Sequence, residues 1–164
     1  MRLLVPLFGF ALIALHESGS PQPDCRKNPN PSKWFVQAGA SSEMGIGTQV
    51  RPFASLADAE QCSAEGTTIV VVPATAGSPP LDGGIVLKNG QKLLGATFSK
   101  AAGWLGQSGQ RITNTKNSGD AVVLANGNEV AYLHVDGATG AAVLGDNVAG
   151  AHLHDLLITH ICLD

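Results

Sequence analysis

Two stretches of the chain that lie twenty residues apart resemble one another, and this near-repeat constrains the fold more than any other feature. Residues 121–134 read AVVLANGNEVAYLH, and residues 141–154 read AAVLGDNVAGAHLH. A shift of twenty aligns seven pairs, six of them identical: Ala121 with Ala141, Val123 with Val143, Leu124 with Leu144, Asn126 with Asp146, Ala131 with Ala151, Leu133 with Leu153, and His134 with His154. A short, fixed period is typical of a solenoid, in which each coil buries its apolar face against the next coil.

Asn-Gly steps mark the predicted turns between strands. Asn89-Gly90 and Asn126-Gly127 each lie between two β-rich runs, and residues 85–95 (IVLKNGQKLLG) carry the same order of strand, turn and strand as the later repeats. Asn and Gly tolerate left-handed backbone at low cost. We expect Asp146-Asn147 to fill the same place, and stacked turns to share side-chain hydrogen bonds. An antiparallel hairpin at each step is the alternative, but it does not explain the repeat.

Alternation along the repeats divides inward from outward side chains. We expect four leucines in the core, namely Leu124, Leu133, Leu144 and Leu153. Tyr132 and His134 then point outward and stack against His152 and His154 one coil on, about 4.8 Å away. One interpretation is a site at which these imidazoles bind a ligand or a transition metal, or titrate near pH ~6. The alternative is a solvated outer ladder of side chains.

Trp104 lies in a Gly-rich excursion, AAGWLGQSGQ, between two predicted coils. Loops that leave a regular scaffold often carry its binding function, and an exposed indole stacks well on a sugar ring. The alternative is that Trp104 covers the apolar edge of a neighbouring coil. The candidate ligand-binding residues are therefore Trp104, Tyr132, His134, His152 and His154.

Composition excludes one class of partner. Only 14% of the residues are charged and the net charge is -3, so the chain lacks a basic surface that could neutralise a phosphate backbone, and we expect no nucleic-acid partner. Aromatic residues make up 5%, and there are 20 glycines. This mixture favours thin, stacked β layers over a helix bundle filled by large side chains.

The N-terminal segment predicts export. Residues 1–18 begin MRLLVPLFGFALIAL, one Arg followed by an apolar run that is short for a membrane span and typical of a secretory signal. A buried or membrane-lying helix is the alternative. We expect no transmembrane span after removal of the signal. Residues 19–33 contain four of the nine prolines and no apolar period, which predicts a disordered linker.

Three cysteines and three short elements complete the pattern. In an exported protein Cys25 and Cys62 could pair and leave Cys162 over, or all three remain free thiols. KWFVQAG and TTIVVVP predict strands, and PFASLADAEQCSAEG predicts a short helix with Ser55 as its N-cap and Asp58 three residues on.

Residues 34–74 carry a family resemblance. Their order of strand, G-T-x-x-x-P-F turn (Gly47, Thr48, Pro52, Phe53), helix and strand resembles the entry segment of right-handed parallel β-helix proteins of the pectin-lyase-like superfamily. The later coils, to about residue 160, are similar to those of large bacterial secreted or surface β-helix proteins. The resemblance implies an all-β fold, a right-handed parallel β-helix (solenoid) with a short N-terminal capping helix. Residues 34–164 are then expected to be the N-terminal coils of a longer domain, truncated at the C-terminus.

The residues that could supply catalysis do not form a recognisable set. The candidate acids are Asp120, Asp136, Asp146 and Asp155, with Arg111 and Lys116 as possible bases for β-elimination. They are scattered, so we expect no catalytic site, no metal and no cofactor within this chain.

The predicted function is therefore a secreted or cell-surface scaffold for adhesion or interaction, at the bacterial outer membrane or outside the cell. Its expected partners are a polysaccharide or a host or envelope surface, and self-association through the apolar C-terminal coil, residues 151–163. The alternative is the N-terminal part of a polysaccharide lyase or glycoside hydrolase of the same fold.

Overall fold

The computed structural model describes residues 22–96, 110–115 and 119–161. This part of the chain is mostly β. In chain order its elements are a 3-10 helix η1 (Cys25–Lys27), β1 (Lys33–Gln37), the α-helix α1 (Leu56–Cys62), β2 (Thr68–Val72), β3 (Leu81–Asp82), β4 (Ile85–Val86), β5 (Lys92–Gly95), β6 (Arg111–Thr113), β7 (Val122–Val123), β8 (Glu129–Asp136), β9 (Val143–Leu144) and β10 (His152–Thr159). The two strands and the helix predicted between residues 33 and 73 are confirmed.

The strands pair in parallel along three ladders, of which the first two form a curled seven-stranded sheet and the third a separate three-stranded sheet. The first ladder joins β1, β2, β5 and the first halves of β8 and β10. The second joins β3, β6 and the second halves of β8 and β10. The third joins β4, β7 and β9. From β3 onward the chain crosses the ladders in a constant order, so strands close in space come from successive passes of the chain.

A single left-handed residue bends each long strand. Tyr132 in β8 has φ 62° and Asp155 in β10 has φ 52°, and they lie opposite each other because Ala131 pairs with His154 on one side of them. A positive φ is costly for a residue with a side chain, and here it turns the strand from the first ladder to the second. Gly95 faces this corner, where an added Cβ would overlap the carbonyl oxygen of Tyr132.

A stack of glycines forms the turn that leads into the first ladder. Gly66, Gly90, Gly127 and Gly150 have φ values of 70°, 67°, 67° and 67°. The amide nitrogens of Gly66, Gly90 and Gly127 donate to the carbonyl groups of Asn89, Asn126 and Ala149 at 2.8 to 2.9 Å. Glycine adopts this left-handed backbone at little energetic cost because it has no side chain. The predicted turns at Asn89-Gly90 and Asn126-Gly127 are confirmed.

The side chains of these turns form the expected hydrogen bonds between turns, but the third turn lies at other residues than those predicted. Oδ1 of Asn89 accepts from the amide of Asn126 at 3.3 Å, and Oδ1 of Asn126 accepts from the amide of Ala149 at 2.8 Å. The residues stacked on Asn126-Gly127 are therefore Ala149-Gly150, and the prediction for Asp146-Asn147 is wrong. Asn147 does have a positive φ of 57°, but in another turn.

The twenty-residue register is wrong as well. Strand β9 pairs with β7 at an offset of 21 residues (Val122 with Val143), and β10 pairs with β8 at an offset of 23 (Leu133 with Leu156). The offset varies because the turns between the ladders differ in length. The sequence identities reflect the recurring use of small and branched residues, whereas hydrogen-bonded partners are set by the glycine turns.

The predicted leucine core is half right. Leu133 is 1% exposed, and Leu124 packs partly buried against the core. Leu144 is 39% exposed because it lies on the outer side of β9. Leu153 lies opposite the buried Val130 but is 49% exposed, since in the described part of the chain no further strand covers β10.

Helix α1 packs against β1 and β4 and buries Leu56 and Ala59. The Ser55 Oγ accepts from the Asp58 amide at 3.1 Å, as the capping pattern predicts. At the other end, Lys88 Nζ donates to the carbonyl oxygens of Glu60, at 2.8 Å, and of Ser63. The ammonium group thereby satisfies carbonyls that a helix C-terminus leaves without partners.

Residues 22–32, the N-terminal strap, are fixed to the body of the protein rather than disordered. A disulfide joins Cys25 to Cys62 at the end of α1, which decides between the two alternatives for these cysteines. The buried Asn28 side chain donates to the carbonyl groups of Lys33 and Gly47 at 3.1 and 3.2 Å. The disulfide and the buried Asn28 amide offset the entropy that the chain loses when the strap is ordered. The composition of the strap alone does not offset that loss. The predicted signal (1–18) and Cys162 lie outside the described residues.

Candidate functional site

Outward polar side chains gather on both sides of the Tyr132–Asp155 corner. We call the group on the first-ladder side the corner cluster: Lys92, Glu129, Tyr132, His154 and Asp155. We call the other group the second-ladder cluster: Arg111, His134, Asp136, Thr159 and His160. Parallel register brings residues distant in sequence together here, so the two clusters are the best candidate site in the described chain.

The corner cluster is a chain of ion pairs. Lys92 Nζ lies 2.7 Å from Glu129 Oε2, and Glu129 Oε1 lies 3.3 Å from Nε2 of His154. His154 Nδ1 lies 3.0 Å from Asp155 Oδ2, and the Tyr132 ring packs edge-on against the imidazole with 5.3 Å between centroids. Carboxylates only accept hydrogen bonds, so both nitrogens of His154 must carry protons to satisfy both partners.

These contacts shift the pKa of both titrating partners. Hydrogen bonds first to Asp155 and then to Glu129 raise the pKa of His154 above its ordinary value. Hydrogen bonds from Lys92 and then from His154 lower the pKa of Glu129. The cluster therefore favours an imidazolium between two carboxylates.

The second-ladder cluster is centred on Asp136. Arg111 Nη1 lies 3.3 Å from Oδ2 of Asp136, while Oδ1 is 2.8 Å from the Thr159 hydroxyl, which donates to it, and 2.7 Å from His160 Nδ1. His134 Nε2 lies 2.6 Å from Thr159 Oγ1. His134 is also the register partner of Arg111, so a cation lies beside it.

Burial acts differently on the two titrating groups of this cluster. Burial lowers the pKa of His134, and the nearby Arg111 and His160 charges lower it further, against the opposing effect of Asp136. Burial would raise the pKa of Asp136, but hydrogen bonds from His160 and Thr159 hold it below its ordinary value. The arrangement favours a neutral His134 beside an ionised Asp136.

The second-ladder cluster does not have the geometry of a nucleophilic triad. In a triad the carboxylate orients the histidine, and the histidine accepts the hydroxyl proton. Here the Thr159 hydroxyl donates its hydrogen bond to the carboxylate of Asp136, so it does not donate to His134. Across residues 22–96, 110–115 and 119–161, no three His, Cys, Asp or Glu side chains are placed to hold a metal ion.

The structure brings together only part of the predicted ligand-binding set. Tyr132 does contact His154. The predicted stack of His134 on His154 is wrong, because His134 lies opposite Leu157 and His154 lies opposite Ala131. His152 lies opposite Glu129, with an exposed side chain. Trp104 lies outside the described residues.

The candidate acids and bases also separate. Asp136, Asp155 and Arg111 join the clusters, whereas Asp120 accepts a hydrogen bond from the Ala141 amide at 2.7 Å, which is a role in a turn. Asp146 is exposed in a turn. Lys116 lies outside the described residues.

Sequence reasoning missed Lys92, Glu129, Thr159 and His160. A signal for the first two was present. Lys92, Glu129 and His152 each stand two residues after a glycine of the turn stack. Aligning the chain on Gly90, Gly127 and Gly150 instead of on identities would have placed all three on one outward line.

Two shallow clefts lie elsewhere, near the N-terminal strap. One encloses ≈ 210 Å³ and is lined by Asp24, Glu43, Arg51 and Asp58 among others, and the other encloses ≈ 240 Å³ between Met44, Val50 and Pro52. Neither of these two clefts is lined by a residue of the corner cluster or of the second-ladder cluster.

The outer face of the third ladder is apolar. Val86, Val123 and Leu144 lie in register on β4, β7 and β9, and Val86 is 51% exposed. Exposed apolar side chains that line up in this way are typical of an interaction surface.

No protein-family model, curated protein or solved structure matches the chain. Among the described residues, no helix is both long enough and apolar enough to cross a membrane.

Proposed function

We propose that the chain forms N-terminal coils of a right-handed parallel β-helix of the pectin-lyase-like kind, and that it acts as a secreted or cell-surface scaffold for adhesion or interaction. Three parallel ladders crossed in a constant order support the solenoid. The Cys25–Cys62 disulfide supports an oxidising compartment, in line with the signal predicted at residues 1–18.

The observation that carries the scaffold function is the outward line on the first ladder. Lys92, Glu129 and His152 lie side by side on β5, β8 and β10. Lys92 and Glu129 form an ion pair across strands, the His152 side chain is exposed, and Glu129 also contacts His154, whose ring packs against Tyr132. Such a surface offers hydrogen-bond donors, acceptors and an aromatic ring at a regular spacing, which suits the repeated hydroxyl groups of a polysaccharide.

Affinity electrophoresis of the full chain tests this proposal. Migration through gels that contain polygalacturonate or a neutral galactan is expected to be retarded by at least one of the two. His152→Ala removes an exposed imidazole and is expected to weaken retardation about threefold, the effect of one lost hydrogen bond. Val50→Ser is the control, because Val50 is an exposed residue in the loop between β1 and α1. A chain that neither polymer retards contradicts polysaccharide binding.

The second-ladder cluster favours one alternative, the N-terminal part of a polysaccharide lyase or glycoside hydrolase. Arg111, the candidate base, lies 3.3 Å from the carboxylate of Asp136. Incubation with polygalacturonate distinguishes the two functions, because a scaffold releases no unsaturated products and no new reducing ends. If the chain forms such products and Arg111→Lys abolishes their formation, the result supports the enzyme and contradicts the scaffold.

A further inference from the structure

Strand β10 is held against β8 by side chains that include two histidines in contrasting surroundings. His154, on β10, reaches back to Glu129 of β8. His134, on β8, reaches forward to Thr159 of β10. Both contacts cross the same strand pair, and in the described chain β10 has no other strand beside it.

The geometry of His154 requires a charged ring. Its two nitrogens face Asp155 at 3.0 Å and Glu129 at 3.3 Å, and neither carboxylate can donate a proton. The other charged group near it is Lys92 of β5, which is bound to the second oxygen of Glu129. A neutral imidazole would lose one of the two bonds.

The geometry of His134 favours a neutral ring. It is partly buried and lies beside Arg111 of β6, whose Nε is buried without a hydrogen-bond partner among the described residues. Asp136 of β8 and His160 after β10 are the remaining charged or titratable groups around it. Asp136 is already bound by Arg111, Thr159 and His160, so it offers limited compensation for another cation.

We propose that these two histidines make β10 a pH-sensitive strand, attached most firmly where His154 is charged and His134 is neutral, and loosened at both lower and higher pH.

The direction of each effect follows from the pKa shifts. The pKa of His154 is raised on folding, so its contribution is complete below the unfolded value of about 6.5 and is lost as the pH rises through the folded value. The pKa of His134 is lowered, so its contribution is present above about 6.5 and is lost as the pH falls through the folded value. The pH range in which β10 is most firmly attached therefore lies around the ordinary imidazole pKa.

Hydrogen–deuterium exchange of the full chain between about pH 5 and pH 8, with rates corrected for the intrinsic pH dependence of exchange, tests the proposal. Protection of the β10 amides is expected to pass through a maximum and to fall about two- to fivefold on either side, the size expected for exposed ion pairs. Protection of β2, in the interior of the sheet, serves as the internal reference.

Three variants separate the two sides of the profile. His154→Gln is expected to remove the fall at higher pH, and His134→Gln the fall at lower pH. Asp155→Asn keeps a residue type that tolerates the left-handed backbone and should reduce the fall at higher pH even if His154→Gln weakens folding. His152→Gln is the control, because its ring makes no hydrogen bond or ion pair within the described residues. A flat wild-type profile, or a profile that only His152→Gln changes, overturns the proposal.

Discussion

At the scale of single residues, buried amides hold the turns in place. A buried polar residue comes directly after each of three glycines in the turn stack, namely Thr67, Gln91 and Asn128. Gln91 Nε2 donates to the Ala64 carbonyl at 2.8 Å. Asn128 Nδ2 donates to the carbonyl groups of Lys88 and Gln91 at 2.7 and 3.1 Å. Each amide therefore ties its own turn to the preceding one.

Replacing Asn128 with Ala is expected to lower the free energy of unfolding by about 1 to 3 kcal/mol, because buried carbonyl groups lose their donor. Urea denaturation measures the loss. Asp146→Ala, in an exposed turn, is the control and should change stability by less than about 0.5 kcal/mol. Equal effects of the two substitutions would mean that the amide is dispensable.

Two leucines provide a second test at this scale. Leu133→Ala opens a cavity in the core and is expected to cost about 2 to 5 kcal/mol. Leu153→Ala removes a side chain that is 49% exposed and is expected to cost less than about 1 kcal/mol. Urea denaturation of both variants tests whether β10 is an open edge of the sheet, since equal losses would show that Leu153 is covered as well as Leu133 is.

At the scale of elements, the two ends of the sheet differ. Helix α1 packs against β1 and β4, and the Cys25–Cys62 disulfide joins the N-terminal strap to this helix. At the opposite edge, β10 exposes Leu153 and Ile158, each 49%. One end of the core is thus shielded, and the other presents apolar side chains.

The disulfide encloses 37 residues of sequence, so its removal is expected to lower the free energy of unfolding by about 4 kcal/mol through the entropy of the unfolded chain. Unfolding of the double variant Cys25→Ser, Cys62→Ser measures this loss. A reductant should destabilise the wild-type chain by a similar amount and leave the double variant nearly unchanged. A wild-type chain that is indifferent to reductant would contradict the linkage.

At the scale of the whole molecule, the β10 edge predicts self-association, because no further strand of the described residues lies beside it. An edge strand with exposed apolar residues is a template for pairing with another chain. Sedimentation at micromolar concentration is expected to show species larger than a monomer, and Leu153→Lys combined with Ile158→Lys is expected to shift them towards the monomer. A monomeric wild-type chain at that concentration would show that the edge is protected.

Export is the second prediction for the whole molecule. N-terminal sequencing of protein recovered outside the cytoplasm is expected to begin between residue 16 and residue 25, because the disulfide requires that Cys25 remain in the mature chain. Recovery only from the cytoplasm with Met1 intact would argue against export.

Local patterns in the sequence were sufficient for several elements. Ser55 with Asp58 predicted the helix start, β-branched runs predicted β1 and β2, and the Asn-Gly steps predicted two turns of the glycine stack. These features depend on residues within a few positions of each other. A fold of stacked β coils was expected from the repetition, and parallel strands from the family resemblance; of these, the mostly β character and the parallel pairing are confirmed.

The candidate site was predicted only in fragments, because it is assembled by register. The sequence predicts Tyr132 and His154 as site residues, and their rings are in contact. Glu129 has a local signal, its place two residues after Gly127, but nothing local distinguishes Thr159 and His160 from other polar residues in or next to strands. An offset of 23 rather than 20 residues exchanges every partner across β8 and β10, and with it the side chains that share a cluster.

The turn residues, the helix cap and the β character of this protein can be read from its sequence, because they follow from the backbone preferences of neighbouring residues. The pairing of the strands, the burial of the leucines and the surroundings that favour a charged His154 and a neutral His134 arise only in the folded chain. Those outcomes depend on turn lengths and on the burial and charge of groups brought together from distant positions, and no single stretch of sequence contains that information.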